Sequence, residues 1–442
     1  MLDLGRSMFD EQIIPATVAA DILSVSKATL GKWEHNGKLT PMVDPDSGKK
    51  IYQMGQLLQF EQVRQMKASN WETEAQTKPI RSYRSLELFA GAGGLALGLE
   101  KAGFEAVALN EINRGACQTL RVNRPNWNII EGSIADIDFT PYKGIDFISG
   151  GFPCQAFSYA GKKMGFEDIR GTLFFEFARA IKECQPRLFL GENVRGLLKH
   201  DNGRTLKTIQ SVLTELGYTL IPPKVLKALF YRVPQKRERL MIVGIRNDLV
   251  KHASFHWPSP YHKVLVLQDA LKAGELYAND VPPSAGQRYP KRKREIMEHV
   301  PAGGYWRDLP DDLQREYMLK SYYLGGGKTG MARRLSWYNP SLTLTCAPAQ
   351  KQTERCHPEE TRPLTVREYA RIQTFPDEWE FVGSLSSQYK QIGNAVPVNL
   401  ALAVGRSLIA TLNQIEPHTA SSYMGLSTMP SSHRQRQPQL LP

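Results

Sequence analysis

Between Ser85 and Glu111 the chain alternates in a way that few folds accommodate. An apolar run (Ser85–Phe89, SLELF) is followed by a glycine turn (GAGG, 91–94), a helical stretch that stops on Gly103, and a second apolar run (Phe104–Glu111, FEAVALNE). Strand, tight turn, helix and strand in that order close only as a parallel pair with a crossover helix. Further apolar runs, GIDFISGG (144–151), RLFLGEN (187–193) and RLMIVGI (239–245), flank a segment in which Leu173, Phe174, Phe177 and Ile181 share one helical face. The expected fold class is α/β, a doubly wound and mostly parallel sheet.

Composition excludes several alternatives. No stretch approaches the ~18 uninterrupted apolar residues of a membrane helix, and the N-terminus, MLDLGRSMFDEQ, has acids where a secretory signal has bases. The expected location is the cytoplasm. Five cysteines without a C-x-x-C pair argue against a disulfide framework and a zinc ribbon, so no metal is expected. A formal charge of +12 makes a polyanion a candidate partner. The excess is spread along the chain, as a long cleft requires.

Punctuation divides the 442 residues into unequal parts. In residues 1–69, Thr17–Leu23 and Lys27–His35 read as two short helices separated by Ser24-Val25-Ser26, with Ser26 as the cap. TPMVDPDSGKKIY follows with the chemistry of a β-wing. This block resembles a MerR-type winged helix-turn-helix, with Lys27, Thr29, Lys32 and Trp33 on the reading helix, although residues 1–84 are nearly neutral. Residues 70–84 read as a linker, which makes the block separable. A catalytic domain is expected over 85–250, completed by 385–415. An irregular segment, 251–384, lies between, and a disordered tail follows over 416–442.

Four motifs carry chemistry. Phe89, Gly91, Gly93 and Gly94 form the turn after the first strand, and Glu111 ends the next strand, where a carboxylate can accept both ribose hydroxyls. Taken alone, this pattern also satisfies the G-x-G-x-x-A form used for NAD. Cys154, in Gly-Gly-Phe-Pro-Cys-Gln, is placed on a loop at a strand's carboxyl end, where a thiolate faces the ligand crevice. Glu192 follows the apolar run Leu188–Leu190 at another strand end. In Pro-Gln-Lys-Arg-Glu-Arg, alternation puts Gln235, Arg237 and Arg239 on one face.

Taken in order, FAGAGG, NE, GGFPCQAFS, ENV, QKRER, RPLTVREYARIQTFP and QIGNAVP resemble the blocks of the DNA cytosine-5 methyltransferases of restriction-modification systems. The resemblance covers nearly everything from Ser85 to about Leu412. It implies an S-adenosylmethionine-dependent sheet with a target-recognition domain in the irregular segment. It assigns Phe89, Gly91, Gly93, Gly94 and Glu111 to the cofactor, with Asn394 and Val396 in the returning segment. Ile112 and Ser133 stand where an aromatic residue and an Asp usually meet the adenine. The family also implies Cys154 as nucleophile, Glu192 as the proton donor to the target ring, and Arg237 and Arg239 on the base and nearby phosphate. Gln155 and Gln235 are further expected DNA contacts, Thr343-Leu344 resembles the Thr-Leu pair that reads bases in the family, and Arg333 and Arg334 are of the type that makes bidentate bonds to guanine, whereas the KRKR run at 291–294 reads as solvated or phosphate-facing.

Such chemistry needs these residue types. Thiolate addition at carbon 6, with ring nitrogen 3 protonated, makes carbon 5 nucleophilic toward a methylsulfonium. A stacked cytosine cannot be reached, so the base must be flipped out. Duplex DNA is the expected partner, with operator DNA expected for residues 1–69 and a restriction endonuclease as a genetic partner. Three rivals stand beside this reading: an RNA cytosine methyltransferase, a NAD-dependent oxidoreductase, and a transcription regulator with a dead enzyme domain.

Overall fold

A computed structural model describes residues 8–45, 47–153 and 172–418. The N-terminal block contains β1 (Ile13–Pro15), α1 (Ala16–Leu23), α2 (Lys27–His35), β2 (Met42–Val43), β3 (Lys50–Gln53) and α3 (Glu61–Lys67). The Ser26 side chain accepts from the Thr29 amide at 3.0 Å and starts α2, satisfying an otherwise orphaned donor. β1 and β2 pair on either side of β3, both antiparallel.

The expected linker is not structureless. Trp71–Ala75 forms a helix, α4, and Trp71 is buried in the main core against Tyr261. One aromatic with an apolar site to fill outweighs the polar neighbours that suggested a linker.

The main sheet follows the expected alternation. In chain order its elements are β4 (Tyr83–Leu88), α5 (Gly94–Ala102), β5 (Phe104–Glu111), α6 (Arg114–Asn123), β6 (Ile129–Glu131) and β7 (Phe147–Gly150). They continue with α7 (Leu173–Cys184), β8 (Leu188–Val194), α8 (Arg204–Glu215), β9 (Tyr218–Leu220) and β10 (Lys224–Lys227). β11 (Gln235–Lys236) leaves the sheet, and β12 (Glu238–Arg246) rejoins it. The strand order is β10-β12-β8-β7-β4-β5-β6, with β9 beside β12. The pairs from β6 to β8 are parallel, and those of β12 are antiparallel. Helices cover both faces: Phe177 and Ile181 of α7 pack with Leu86, Ile148 and Phe189, while Leu95 and Leu99 of α5 pack with Tyr83, Phe147 and Leu188.

The segment after β12 is irregular, as expected. It holds α9 (Leu267–Leu271), α10 (Lys291–Glu298), α11 (Asp311–Met318) and β13 (Ser341–Leu342), which pairs with β11 in parallel. The chain then returns through α12 (Val366–Ile372), α13 (Leu385–Asn394) and α14 (Val398–Ile415). Tyr369, Phe375 and Trp379 share a core with Leu97 and Leu109, so the packing onto the main sheet begins before residue 385. By length and composition α13–α14 could cross a membrane, but α14 is mostly buried against α5. There the helices touch closely: a Cβ on Gly98 would lie 2.3 Å from the Ala401 Cβ. Of the tail, residues 419–442 lie outside the described residues.

The N-terminal block does not stand apart. Leu229 and Val264 belong to its hydrophobic cluster. Asp21 pairs with Lys236 at 2.6 Å, Thr17 donates to Asn339, and Glu74 accepts from the Ser259 hydroxyl at 2.6 Å.

Candidate active site

A cavity of about 740 Å³ opens at the carboxyl ends of β4, β5, β7 and β8, the edge where open α/β sheets bind ligands. One wall is the glycine turn. Phe89, Gly91 and Gly93 all have left-handed backbone angles (φ 58°, 55° and 84°), which only glycine adopts without cost. The glycines differ in role. A Cβ on Gly91 would meet nothing, so its backbone is open to a ligand. A Cβ on Gly93 would come within 2.7 Å of Leu120, and one on Gly94 within 2.3 Å of the Val396 carbonyl. Gly93 is therefore a packing residue, and it does not line the cavity.

Glu111 is held at both oxygens, accepting from the Gly91 amide at 2.8 Å and the Asn113 amide at 2.7 Å. Each carboxylate oxygen keeps a further lone pair, so this pair of acceptors fits the hydroxyls of a nucleoside cofactor. Ile112 and Ser133 also line the cavity, with Ile112 71% exposed and the Ser133 hydroxyl accepting from the Ala135 amide at 3.2 Å. Val396 and Asn394 complete the wall from the returning segment. Glu87, at the end of β4, is buried beside Ser149, and burial pushes its carboxyl up to about 8.

The opposite wall carries Glu192 and Arg239, which lie 2.5 Å apart. Met241 sits opposite Glu192 in the β8–β12 ladder, and Arg239, two residues away, projects from the same face. Asn193 fixes the adjoining loop by donating to the Phe152 carbonyl at 2.8 Å. Gly151, Phe152 and Pro153 line the same cavity. A Cβ on Gly151 would lie 2.8 Å from a Glu192 carboxylate oxygen, so a side chain there would have to displace that carboxylate. Cys154 and Gln155 lie outside the described residues.

Several expected contacts fall elsewhere. Gln235, Arg237 and Arg239 do not share a face, because the chain changes sheets at Arg237: β11 pairs with β13, whereas β12 pairs with β8. Arg237 is 1% exposed and donates to the Leu344 and Gly393 carbonyls at 3.2 and 2.8 Å, which is incompatible with a base or phosphate contact in this state. Burial pulls its guanidinium well below the usual arginine range. Gln235 is likewise buried, accepting from the Leu344 amide and donating to Gln373. Leu344 is thus gripped at both backbone groups and its side chain is buried. Arg334 is also buried, bonded to carbonyls that include Met297 at 2.7 Å and to the Thr361 hydroxyl at 2.9 Å. Arg333 is half-buried, donating to Thr329 and Gly303 carbonyls.

Two contributors escaped the sequence reading. Gln373 donates to the Ile392 and Ala395 carbonyls at 2.7 and 3.1 Å, completing a buried relay from Leu344 through Gln235 to the cavity wall. Lys390, one turn before Asn394, lines the cavity. The i, i+4 spacing of Lys390 and Asn394 was the only available signal.

Comparison with known proteins gives concordant results. The family described as "C-5 cytosine-specific DNA methylase" matches residues 83–410. The Type II methyltransferase M.Eco47II of Escherichia coli is 66% identical over 94% of this chain and 99% of its own. M.PspPI of Psychrobacter sp. (strain TA137) is 62% identical over 92% and 98%. Among solved structures, an E. coli prophage protein described as a DNA modification methyltransferase superposes with a TM-score of 0.59 at 23% identity. That likeness covers 75% of this chain and 100% of the other, and it speaks for the fold alone.

Proposed function

The chain belongs to the C-5 cytosine-specific DNA methylase family, and from that membership we propose how its own residues divide the work. The enzyme methylates carbon 5 of a cytosine within a specific duplex DNA sequence, as the modification arm of a restriction-modification system. S-adenosylmethionine, when bound, supplies the methyl group. Phe89, Gly91, Glu111, Ile112 and Ser133 would hold it, with Asn394 and Val396 closing the wall. Cys154 is the nucleophile. Glu192 holds the proton delivered to ring nitrogen 3, and Arg239 orients that carboxyl and the base. The single observation that supports this assignment most is the Glu192–Arg239 pair facing the Glu111 turn across one cavity, whose wall ends at Pro153.

Residues 251–384 contain the sequence reader, with the Thr343 edge of the β13 loop as the base-reading element. Arg334 and Leu344 support that loop from inside. The N-terminal block is a winged helix-turn-helix that binds an operator through Lys27 and Lys32, both exposed on α2. Trp33 belongs to its own packing, stacked on Phe60 at 5.0 Å. The enzyme works on cytoplasmic DNA, and a cognate endonuclease is its genetic partner.

The direct test is Cys154→Ala. Methyl transfer should vanish while S-adenosylmethionine still binds, and covalent trapping on 5-fluorocytosine DNA should require Cys154. Near-normal transfer by that variant overturns the assignment.

A further inference from the structure

The N-terminal block was expected to hang on a linker, yet its first helix is docked on the small ladder that leads into the recognition loop. That ladder is two residues per strand, Gln235 beside Ser341 and Lys236 beside Leu342. It gains one further backbone bond, from the Ser341 amide to the Pro234 carbonyl at 2.8 Å. A two-residue parallel pair is too short to hold its own register. Side chains from outside stabilise it on both sides.

From the catalytic side come Gln373, which accepts from the Gln235 side chain, and Arg237, which donates to the Leu344 carbonyl. From the other side comes α1. Asp21 forms an ion pair with the Lys236 ammonium at 2.6 Å, with both side chains largely shielded from solvent. One turn earlier on the same helical face, Thr17 donates to the side-chain carbonyl of Asn339, two residues before β13. The Lys236 carbonyl in turn accepts from the Thr343 hydroxyl. One residue therefore touches α1 through its side chain and the recognition loop through its backbone. The dock is also apolar: Leu229 and Val264 enter the cluster of the N-terminal block, and Phe230 and Val266 pack against it. M.Eco47II matches 94% of the chain, a span that includes most of this block.

We propose that α1 is a positioning element of the methylation reaction, with Thr17 and Asp21 bracing the β11–β13 ladder so that Thr343 meets the DNA in register. The proposal rests on the reading that this loop recognises sequence. It goes beyond operator binding, because it makes the block part of target discrimination in cis. Thr17 and Asp21 touch neither cofactor nor target base, so they act through Lys236 and Asn339.

The test uses the full-length enzyme, on the site mapped by bisulfite sequencing and on duplexes altered at one base pair of that site. Thr17→Val with Asp21→Asn should raise KM for DNA and lower the ratio of kcat/KM on cognate to altered duplex by about 5-fold or more. S-adenosylmethionine binding and kcat at saturating DNA should stay within about 2-fold, a split that general unfolding would not produce. The exchange of Asp21→Lys with Lys236→Asp should recover discrimination lost in either single variant, and the conservative Thr17→Ser should retain it, which covers the case where the first variant folds poorly. Wild-type discrimination and KM in the Thr17/Asp21 variant overturn the brace. Thr343→Ala, measured alongside, separates the two claims: unchanged discrimination there overturns the base-reading assignment instead.

Discussion

Glu192 and Arg239 meet at 2.5 Å on the cavity wall, and on the assignment proposed above the proton transfer depends on both. Glu192 is 9% exposed, and a carboxylate that far from water requires a cation or a proton. Glu192→Gln keeps the shape but removes the transferable proton, so kcat should fall by ~10²–10⁴-fold with S-adenosylmethionine affinity little changed. Single-turnover methylation and a separate binding titration check this. Glu87 makes a different prediction. Burial raises its carboxyl from the ordinary 4.5 to about 8, so the folded enzyme keeps a proton that the unfolded chain releases above about 4.5. Its contribution to stability is complete below the unfolded value and is lost as pH climbs through about 8. Wild-type Tm should therefore drop between pH 5 and pH 8 by more than that of Glu87→Gln, an effect on the order of a few kcal/mol. Parallel Tm profiles would refute it.

At the scale of elements, two helices carry the most exposed predictions. On α5, the Cβ of Gly98→Ala would meet the Ala401 Cβ at 2.3 Å and the Val398 carbonyl at 2.6 Å. These are well-packed backbones rather than flexible tips, so the helices must separate at a cost of ~1–3 kcal/mol, readable as a shift in denaturant midpoint at unchanged m-value. On α10, the KRKR run does not act as one solvated stretch. Lys293 turns inward to Glu354, which has no solvent exposure, at 2.5 Å, and Arg292 is engaged by Glu295 and Glu316. Lys293→Ala should therefore destabilise the irregular segment by on the order of 3 kcal/mol by stranding a buried carboxylate. Lys291→Ala should leave stability alone and reduce the salt dependence of DNA binding by about one counterion.

The same contrast shows what was legible. The strand-turn-helix order from Ser85, the Ser26 cap and the turn that brings Met42–Val43 back beside Lys50–Ile51 were readable because each is set by local spacing or backbone chemistry. So was the meeting of Glu111 with the glycine turn, since strand ends in a parallel sheet share one edge. The sheet change at Arg237 was not readable, because the strand pattern runs straight through it and only the distant Ser341–Leu342 segment reveals the second partner. Arg334 looked like a base reader for the same reason: nothing local announces that four surrounding carbonyls and hydroxyls from 297 to 361 will enclose it. Trp71 was read with its polar neighbours, although its partner Tyr261 lies far away in the chain.

For the molecule as a whole, specificity should move with the irregular segment. Exchanging residues 255–361 with those of a relative of different specificity should transfer the methylated site, provided the exchanged ladder still accepts Lys236. Sites mapped by bisulfite sequencing that stay with the catalytic scaffold would place recognition elsewhere. The charge of +12 adds a sequence-independent component, so discrimination between sites should survive added salt better than total binding does.

The return of the chain through α14 also sets a timetable. The helix that covers one face of the sheet, and Asn394 and Val396 that complete the cavity wall, are the last described parts to leave the ribosome. At ~5–20 residues per second, the stretch from Arg246 to Val398 takes on the order of ten seconds to make. Through that interval the nascent sheet lacks its lid, and the cavity lacks a side. Modification activity should therefore start as a step once α14 has been made, rather than as a ramp. The core draws on both sides of the irregular segment, so two polypeptides separated within it would each hold part of one core, and methylation on mixing them would report their reunion.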